Sequence, residues 1–202
     1  MFDFSEKFEA RVLHWCENPT DWVKDIFPPF KVKTTETGLS SQQEHALREL
    51  GKLIRAKLKM WRIEHEDSKE KLTDEEKEYS DKIGISISSG TGTGKDFWIA
   101  LVGMFFMFCF PNPKLTATAN TKQQLKNVLW SEVSKLMALS RKTDEKNPAS
   151  PTILESFFTW TAEKVFLTAK KGQRWFWEAV TCNLKASPEE QGEVLGGRHE
   201  DY

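Results

Sequence analysis

Residues 83–96 read IGISISSGTGTGKD, and this stretch decides the fold class of the 202-residue chain. Isoleucine alternates with smaller residues over 83–88, a pattern that predicts a short strand. Three alternating glycines then lead to Lys95, and the apolar run after it predicts a helix. Strand, glycine-rich turn and helix in this order cradle phosphate, because backbone N–H groups, the helix dipole and a lysine all face the anion. We therefore predict a nucleotide-binding α/β domain.

The segment departs at two positions from the P-loop pattern G-x-x-x-x-G-K-[ST]. A serine stands at the first glycine, and an aspartate stands where a hydroxyl normally binds Mg²⁺. A carboxylate can bind the same cation, directly or through water, although it adds negative charge beside the phosphates. The alternative is a glycine-rich turn without a ligand. The predicted phosphate-binding residues are Ser89, Gly90, Thr91, Gly92, Thr93, Gly94 and Lys95, and Asp96 completes the set as the candidate metal ligand.

Composition limits the classes of protein that fit. With 29 basic and 30 acidic residues the net charge is −1, which argues against a protein that coats nucleic acid with its whole surface. The three cysteines are widely spaced and predict reduced thiols in the cytoplasm. Residues 1–10 lack the apolar stretch of a signal peptide. The apolar run 97–110 is shorter than the roughly 20 residues that span a bilayer, so we predict a buried helix.

The part of the chain before the glycines predicts a helical region over residues 1–82. Apolar residues recur at helical spacing in residues 1–30, with a break and a fresh helix start at Pro19. A longer helix begins after Ser40 or Ser41, and Glu44 is spaced for a capping box with Ser41.

Charged residues of both signs fill 52–81, which predicts an exposed helix pair with a new cap near Thr73.

The part from residue 83 onward predicts a partial P-loop core. Residues 114–119 favour a strand, and Asn120 or Thr121 can cap a helix that continues to about residue 140. This βαβα order predicts a parallel sheet with helices packed on it. Residues 159–167 and 174–182 predict a hairpin.

Several segments together resemble the ATPase domain of phage terminase large subunits, the motors that pump DNA into capsids. The resemblance covers most of the chain in order, and only the glycine loop is specific by itself. The matching segments are NPTDWV (18–23), LSSQQEHAL (39–47), SGTGTGK (89–95), LTATANTKQQL (115–125), VLW (128–130), and the stretch from ASPEEQG (186–192) to GRH (197–199).

The resemblance implies an ATP- and Mg²⁺-dependent motor that assembles with double-stranded DNA, a terminase small subunit and a portal protein in the host cytoplasm. Such motors can form homo-oligomers. Gln43, or else Gln42, would read adenine. The glycine loop would cradle the phosphates, Lys95 would neutralise the γ-phosphate, and Asp96 would approach Mg²⁺. The candidate arginine fingers or DNA contacts are Arg141, Arg174 and Arg198, for which surface charge is the simpler reading.

Two family features are missing from the printed sequence. The loop contains no arginine, and no apolar strand ends in the Asp-Glu pair that holds Mg²⁺ and orients water. The Asp-Glu pairs at 74–75 and 144–145 follow no such strand, and the chain ends about where that strand is expected. We therefore expect the N-terminal part of a terminase ATPase, which binds nucleotide better than it hydrolyses it. The alternatives are a non-catalytic interaction module and another P-loop ATPase or kinase.

Overall fold

The computed structural model describes residues 6–30, 35–66, 68–88, 92–119, 121–170 and 174–181. The chain divides into two compact units, one of residues 1–95 with 139–153 and one of residues 96–138 with 154–202. The boundary predicted from the sequence, between residues 82 and 83, stays a prediction. The elements are α1 (Glu6–Glu17), α2 (Pro19–Ile26), α3 (Ser41–His65), α4 (Asp74–Ser80), α5 (Lys95–Cys109), β1 (Lys114–Ala119), α6 (Lys122–Gln124), a π-helical turn (Leu125–Leu129), α7 (Trp130–Leu139), α8 (Ile153–Phe157), β2 (Phe158–Trp160), β3 (Lys164–Leu167), a 3-10 turn (Thr168–Lys170) and β4 (Phe176–Thr181).

The first unit begins with two short helices that meet at the predicted break. Pro19 opens α2, where its fixed φ and missing N–H suit the first helical turn. Trp22 and Ile26 of α2 are fully buried, and Trp15 of α1 is buried as well. Gly51 of α3 lies so close to α2 that a Cβ there would be 3.1 Å from the Pro19 ring. The predicted helical lead-in is confirmed for the described residues 6–30.

The charged helix pair is also confirmed. Thr73 caps α4 and forms a capping box with Glu76. Lys59 of α3 lies 2.9 Å from a Glu76 carboxylate oxygen, and the Tyr79 hydroxyl donates to Glu49. The two helices therefore direct much of their charge towards each other.

The second unit is built on a mixed four-stranded sheet with the order β1-β4-β3-β2. β1 runs parallel to β4, with Leu115 opposite Trp177, whereas β4–β3 and β3–β2 are antiparallel. The α/β class is confirmed, but the parallel sheet is confirmed only for the β1–β4 pair. The stretch predicted as one strand over 159–167 contains β2 and β3, because the chain turns at residues 161–163 and Thr161 N–H donates to the Lys164 carbonyl (2.8 Å). The expected hairpin is the β3–β4 pair.

The apolar run after the glycines forms α5, which is the predicted buried helix. The helix packs on the sheet through Trp177 of β4, whose ring would be 2.4 Å from any Cβ placed at Gly103. Trp130 of α7 meets the same indole edge-on, with ring centroids 5.1 Å apart. Trp175 Nε1–H donates to the Met107 carbonyl (2.8 Å) and adds a polar tie to α5. Trp177 is thus the common contact of α5 and α7.

The predicted strand before the glycine loop is absent. Residues 82–88 take no regular secondary structure. Ile83 is fully exposed, and Ile85 and Ile87 are each 40% exposed. Alternating isoleucines favour a strand only where a neighbouring strand supplies hydrogen bonds and a surface to cover them. Among the described residues this segment pairs with no strand, so the sequence pattern alone does not produce one.

Two smaller expectations concern burial. Cys16 and Cys109 are buried and not disulfide-bonded, and Cys182 lies outside the described residues. Within the ranges that the structure describes, no helix combines the length and apolarity needed to cross a membrane.

Replacing Gly103 by alanine tests the contact between α5 and β4. The new Cβ would meet the Trp177 ring, and overpacking of this kind costs about 1–3 kcal/mol. This exceeds the roughly 1 kcal/mol that alanine gains over glycine within a helix. We expect Gly103→Ala to lower the free energy of unfolding in urea. Ile99→Ala, at an exposed position of the same helix, is the control. A Gly103→Ala protein as stable as the native chain would contradict this packing.

Candidate phosphate-binding site

The described part of the glycine loop has the backbone that only glycine adopts readily. Gly92 has φ +76° and Gly94 has φ +79°, both in the left-handed region. Lys95 follows directly as the first residue of α5. The chain therefore turns twice through left-handed glycines and enters a helix N-terminus, which is the geometry that favours an anion. Ser89, Gly90 and Thr91, which are also predicted site residues, lie outside the described residues.

The polar side chains of the loop are accessible. Thr93 and Asp96 are exposed, and Lys95 is half-buried. Asp96 stands in the first turn of α5, where a carboxylate is also favourable to the helix dipole without any metal. In the described part of the chain, no group of three or more His, Cys, Asp or Glu side chains could hold a metal ion. The role of Asp96 toward Mg²⁺ stays a prediction.

Gln43 lies at the start of α3 and reaches the glycine loop. Its Nε2 donates to the Gly94 carbonyl (3.1 Å), although the two residues are 51 positions apart. Its Oε1 accepts from Ser40 N–H (3.1 Å), and Ser40 Oγ accepts from Gln43 N–H (3.2 Å). The structure thus joins a predicted nucleotide-binding glutamine to a predicted phosphate loop.

The capping box of α3 differs from the one that the sequence predicts. The cap is Ser40, whose backbone is extended, and the partner at the third helical position is Gln43. The predicted pair of Ser41 and Glu44 is wrong by one residue. The physical reason is that Glu44 points to the preceding loop, where it accepts hydrogen bonds from Thr37.

Glu44 is a buried carboxylate that fixes the loop before α3. It is 3% exposed, accepts from Thr37 Oγ1 (2.6 Å), and pairs with Arg48 on the next turn. Burial by itself would raise the pKa of Glu44, but the hydrogen bonds from Thr37, Thr35 and Arg48 outweigh it and lower the pKa below that of an unperturbed glutamate. The sequence did not predict this contact, because a threonine seven residues before a glutamate belongs to no helix, strand or capping pattern.

Most of the arginines that the structure describes make hydrogen bonds or ion pairs within the first unit. Arg141, a candidate arginine finger, donates to the Asp25 carbonyl (3.1 Å) and the Lys24 carbonyl (3.2 Å) at the end of α2. These two hydrogen bonds connect Arg141 to the end of α2 within the first unit. Arg174 is exposed with φ +60°, and Arg198 lies outside the described residues.

The two Asp-Glu pairs lie where the sequence suggested, away from any strand end. Asp74 and Glu75 form the first turn of α4. Asp144 accepts from Lys146 N–H (3.0 Å) in a surface turn. Neither pair is placed to hold a catalytic Mg²⁺ at the end of a described strand.

Comparisons of the chain with protein-family models, with curated proteins and with solved structures found no match.

The pKa of Glu44 predicts how stability depends on pH. Because the folded-state pKa is lowered, the stabilisation is fully present above the pKa of the unfolded carboxyl, about 4.3, and is lost as the pH falls through the folded value. We expect Glu44→Gln to lower the free energy of unfolding by about 1–3 kcal/mol at pH 7. The difference from the native chain should shrink below about pH 4.3.

Chemical denaturation over a pH series measures this difference. Glu64→Gln, at an exposed position of α3, is the matched control and should follow the native chain at every pH. A Glu44→Gln deficit that stays constant down to pH 3 would show that the carboxylate charge is not what holds the loop.

Glycine-to-alanine substitutions at two positions of the same segment should affect stability differently. Gly94→Ala introduces a side chain at φ +79° and 2.7 Å from Gln43 Nε2, so we expect a loss of about 1–3 kcal/mol of stability. Gly84 faces open space without a positive φ, so Gly84→Ala should be neutral or stabilise by up to about 1 kcal/mol. Thermal unfolding of the two variants measures both. Equal melting temperatures would mean that the loop does not need a left-handed glycine.

Proposed function

We propose that the loop ending in Lys95 binds the phosphates of ATP with Mg²⁺, and that this chain is the ATP-binding part of a phage DNA-packaging motor of the terminase large-subunit type. The observation that carries the proposal is local. Gly92 and Gly94 both have a left-handed backbone, and α5 begins directly after them with Lys95 as its first residue. This arrangement presents backbone amides, a helix dipole and an ammonium group from one short segment.

The second support is the approach of the glutamine motif to this loop. In the order of motifs along the chain, Gln43 is the residue assigned to adenine. Its amide lies beside Gly94 in the same unit. An amide group has two N–H donors and two acceptor positions on oxygen, which are the kinds of group that pair with the edge of an adenine base. Adenine recognition by Gln43 is part of the proposal.

In this proposal each predicted site residue has one task. The amides of the 89–94 loop hold the phosphate oxygens, Lys95 neutralises the γ-phosphate, and Asp96 binds the Mg²⁺ directly or through water. The partners of such a motor would be double-stranded DNA, a small subunit and a portal protein.

A small-molecule kinase is less well supported. Kinases of this kind place several arginines around the phosphates. In this chain most of the described arginines form hydrogen bonds or ion pairs within the helical region. Arg11 pairs with Asp25 (2.8 Å), Arg62 pairs with Glu17 (3.1 Å), and Arg55 donates to the Glu17 carbonyl (2.6 Å). These contacts use the guanidinium groups within the helical region.

A pure interaction module is also less well supported. The charged helices α3 and α4 would be its binding surface. Lys59 and Glu76 pair across them, and Lys57 donates to the Ser80 carbonyl (2.9 Å). Charges that are paired within the fold attract a partner less strongly.

Nucleotide titration tests the proposal. We expect ATP and ADP to bind, more tightly with Mg²⁺, when heat is measured by calorimetry on the native chain. Lys95→Ala removes a charge-assisted hydrogen bond and should raise Kd about ten- to a hundredfold. Lys69→Ala, at an exposed position between α3 and α4, is the charge-matched control.

Two results would contradict the proposal. One is a folded native chain that binds neither nucleotide. The other is a Lys95→Ala chain that binds as well as the Lys69→Ala control, since phosphate binding would then not involve the loop.

A further inference from the structure

The Gln43 side chain is held at both ends of its amide. The oxygen accepts from Ser40 N–H (3.1 Å) and the nitrogen donates to the Gly94 carbonyl (3.1 Å). The first bond locks the side chain to the α3 cap, which is itself closed by the Ser40 hydroxyl. A hydrogen bond from so fixed a donor holds the Gly94 carbonyl in one direction.

The direction of the Gly94 carbonyl decides the direction of the next amide. A peptide bond is planar and trans, so the C=O of Gly94 and the N–H of Lys95 lie in one rigid plane and point in opposite directions. A carbonyl bonded toward Gln43 therefore turns the Lys95 N–H away from α3. Without such a bond the Gly94–Lys95 plane has more freedom to rotate, because no Cβ restricts the ψ of a glycine.

Glycine at position 94 is also a condition of this contact. A Cβ there would lie 2.7 Å from Gln43 Nε2, closer than a Cβ lies to a neighbouring heavy atom, so the glutamine amide would have to move. Gly94 therefore has two reasons to be glycine, its φ of +79° and the close approach of the glutamine amide.

We propose that Gln43 is a positioning residue that holds the Gly94–Lys95 peptide so that the Lys95 N–H faces the bound phosphate. This inference rests on the proposed function of the loop. It differs from adenine recognition in its consequence: a residue that orients the loop affects every ligand with the same phosphates, whatever its base.

Gln43→Met and Ser40→Ala form a matched pair of variants. Methionine keeps the length and neutrality of the side chain but lacks the amide, so it removes the bond to Gly94 and one half of the capping box. Alanine at position 40 removes the other half of the box, and its backbone N–H can still bond Gln43 Oε1. The two variants lose similar capping energy, so the difference between them reports the bond to Gly94.

Binding of ATP, GTP and inorganic tripolyphosphate, each with Mg²⁺, is the readout. We expect Gln43→Met to raise all three Kd values by a shared factor of about five to ten, the effect of one hydrogen bond, and Ser40→Ala to change them less than twofold. A further loss for ATP alone, on top of the shared factor, would add adenine reading and still support the positioning role. A loss confined to ATP, or equal effects of the two variants, would overturn it.

Amide hydrogen exchange separates this inference from the proposed function. If the native chain binds none of the three ligands, the proposed function fails. Exchange in the segment 92–98 then tests the contact by itself. We expect faster exchange in Gln43→Met than in Ser40→Ala, with circular dichroism confirming that both variants are folded. Equal exchange in the two variants would overturn the positioning role.

Discussion

The start of α3 is the constraint on which the first unit depends. A helix N-terminus leaves backbone N–H groups without partners, and here Ser40 and Gln43 satisfy them in a capping box. The same turn does two further tasks. Glu44 is buried against Thr37 and fixes the loop that leads into the helix, and Gln43 extends to the Gly94 carbonyl. One helical turn therefore organises its own entry loop and a glycine loop 51 residues further along the chain.

The second unit depends on a different contact. Trp177 of β4 packs against Gly103 of α5 and against Trp130 of α7, so one indole connects both helices to the sheet. Trp177 stands opposite Leu115 in the parallel β1–β4 pair. Because interiors are close-packed, a helix can approach so large a side chain only where it has no side chain itself. The glycine in the middle of α5, the most apolar of the described helices, is explained by packing rather than by flexibility.

The functional proposal needs only a short segment to be correct. The proposed phosphate binding is based on left-handed glycines, a helix N-terminus and a lysine, which Gly92, Gly94 and Lys95 supply together. ATP hydrolysis would need a carboxylate pair at the end of an apolar strand, and the Asp-Glu pairs of this sequence lie in a helix start and a surface turn. Nucleotide binding and nucleotide hydrolysis are therefore separate questions for this chain, and the geometry supports the first.

The sequence by itself determined the elements whose signal is local. The break at Pro19, the cap at Thr73, the strand β1 and the buried helix α5 follow from backbone restriction, capping chemistry and apolar periodicity, which act over a few residues. Tertiary structure decided what depends on a distant partner. The alternating isoleucines of 83–88 form no strand because they pair with no strand among the described residues. The contact of Gln43 with Gly94 and the pairing of β1 with β4 depend on residues far along the chain. The choice of Gln43 over Glu44 for the capping box depends on how the folded entry loop places Thr37. Such contacts leave no periodic trace in a sequence, since each is fixed only when both partners have been brought together.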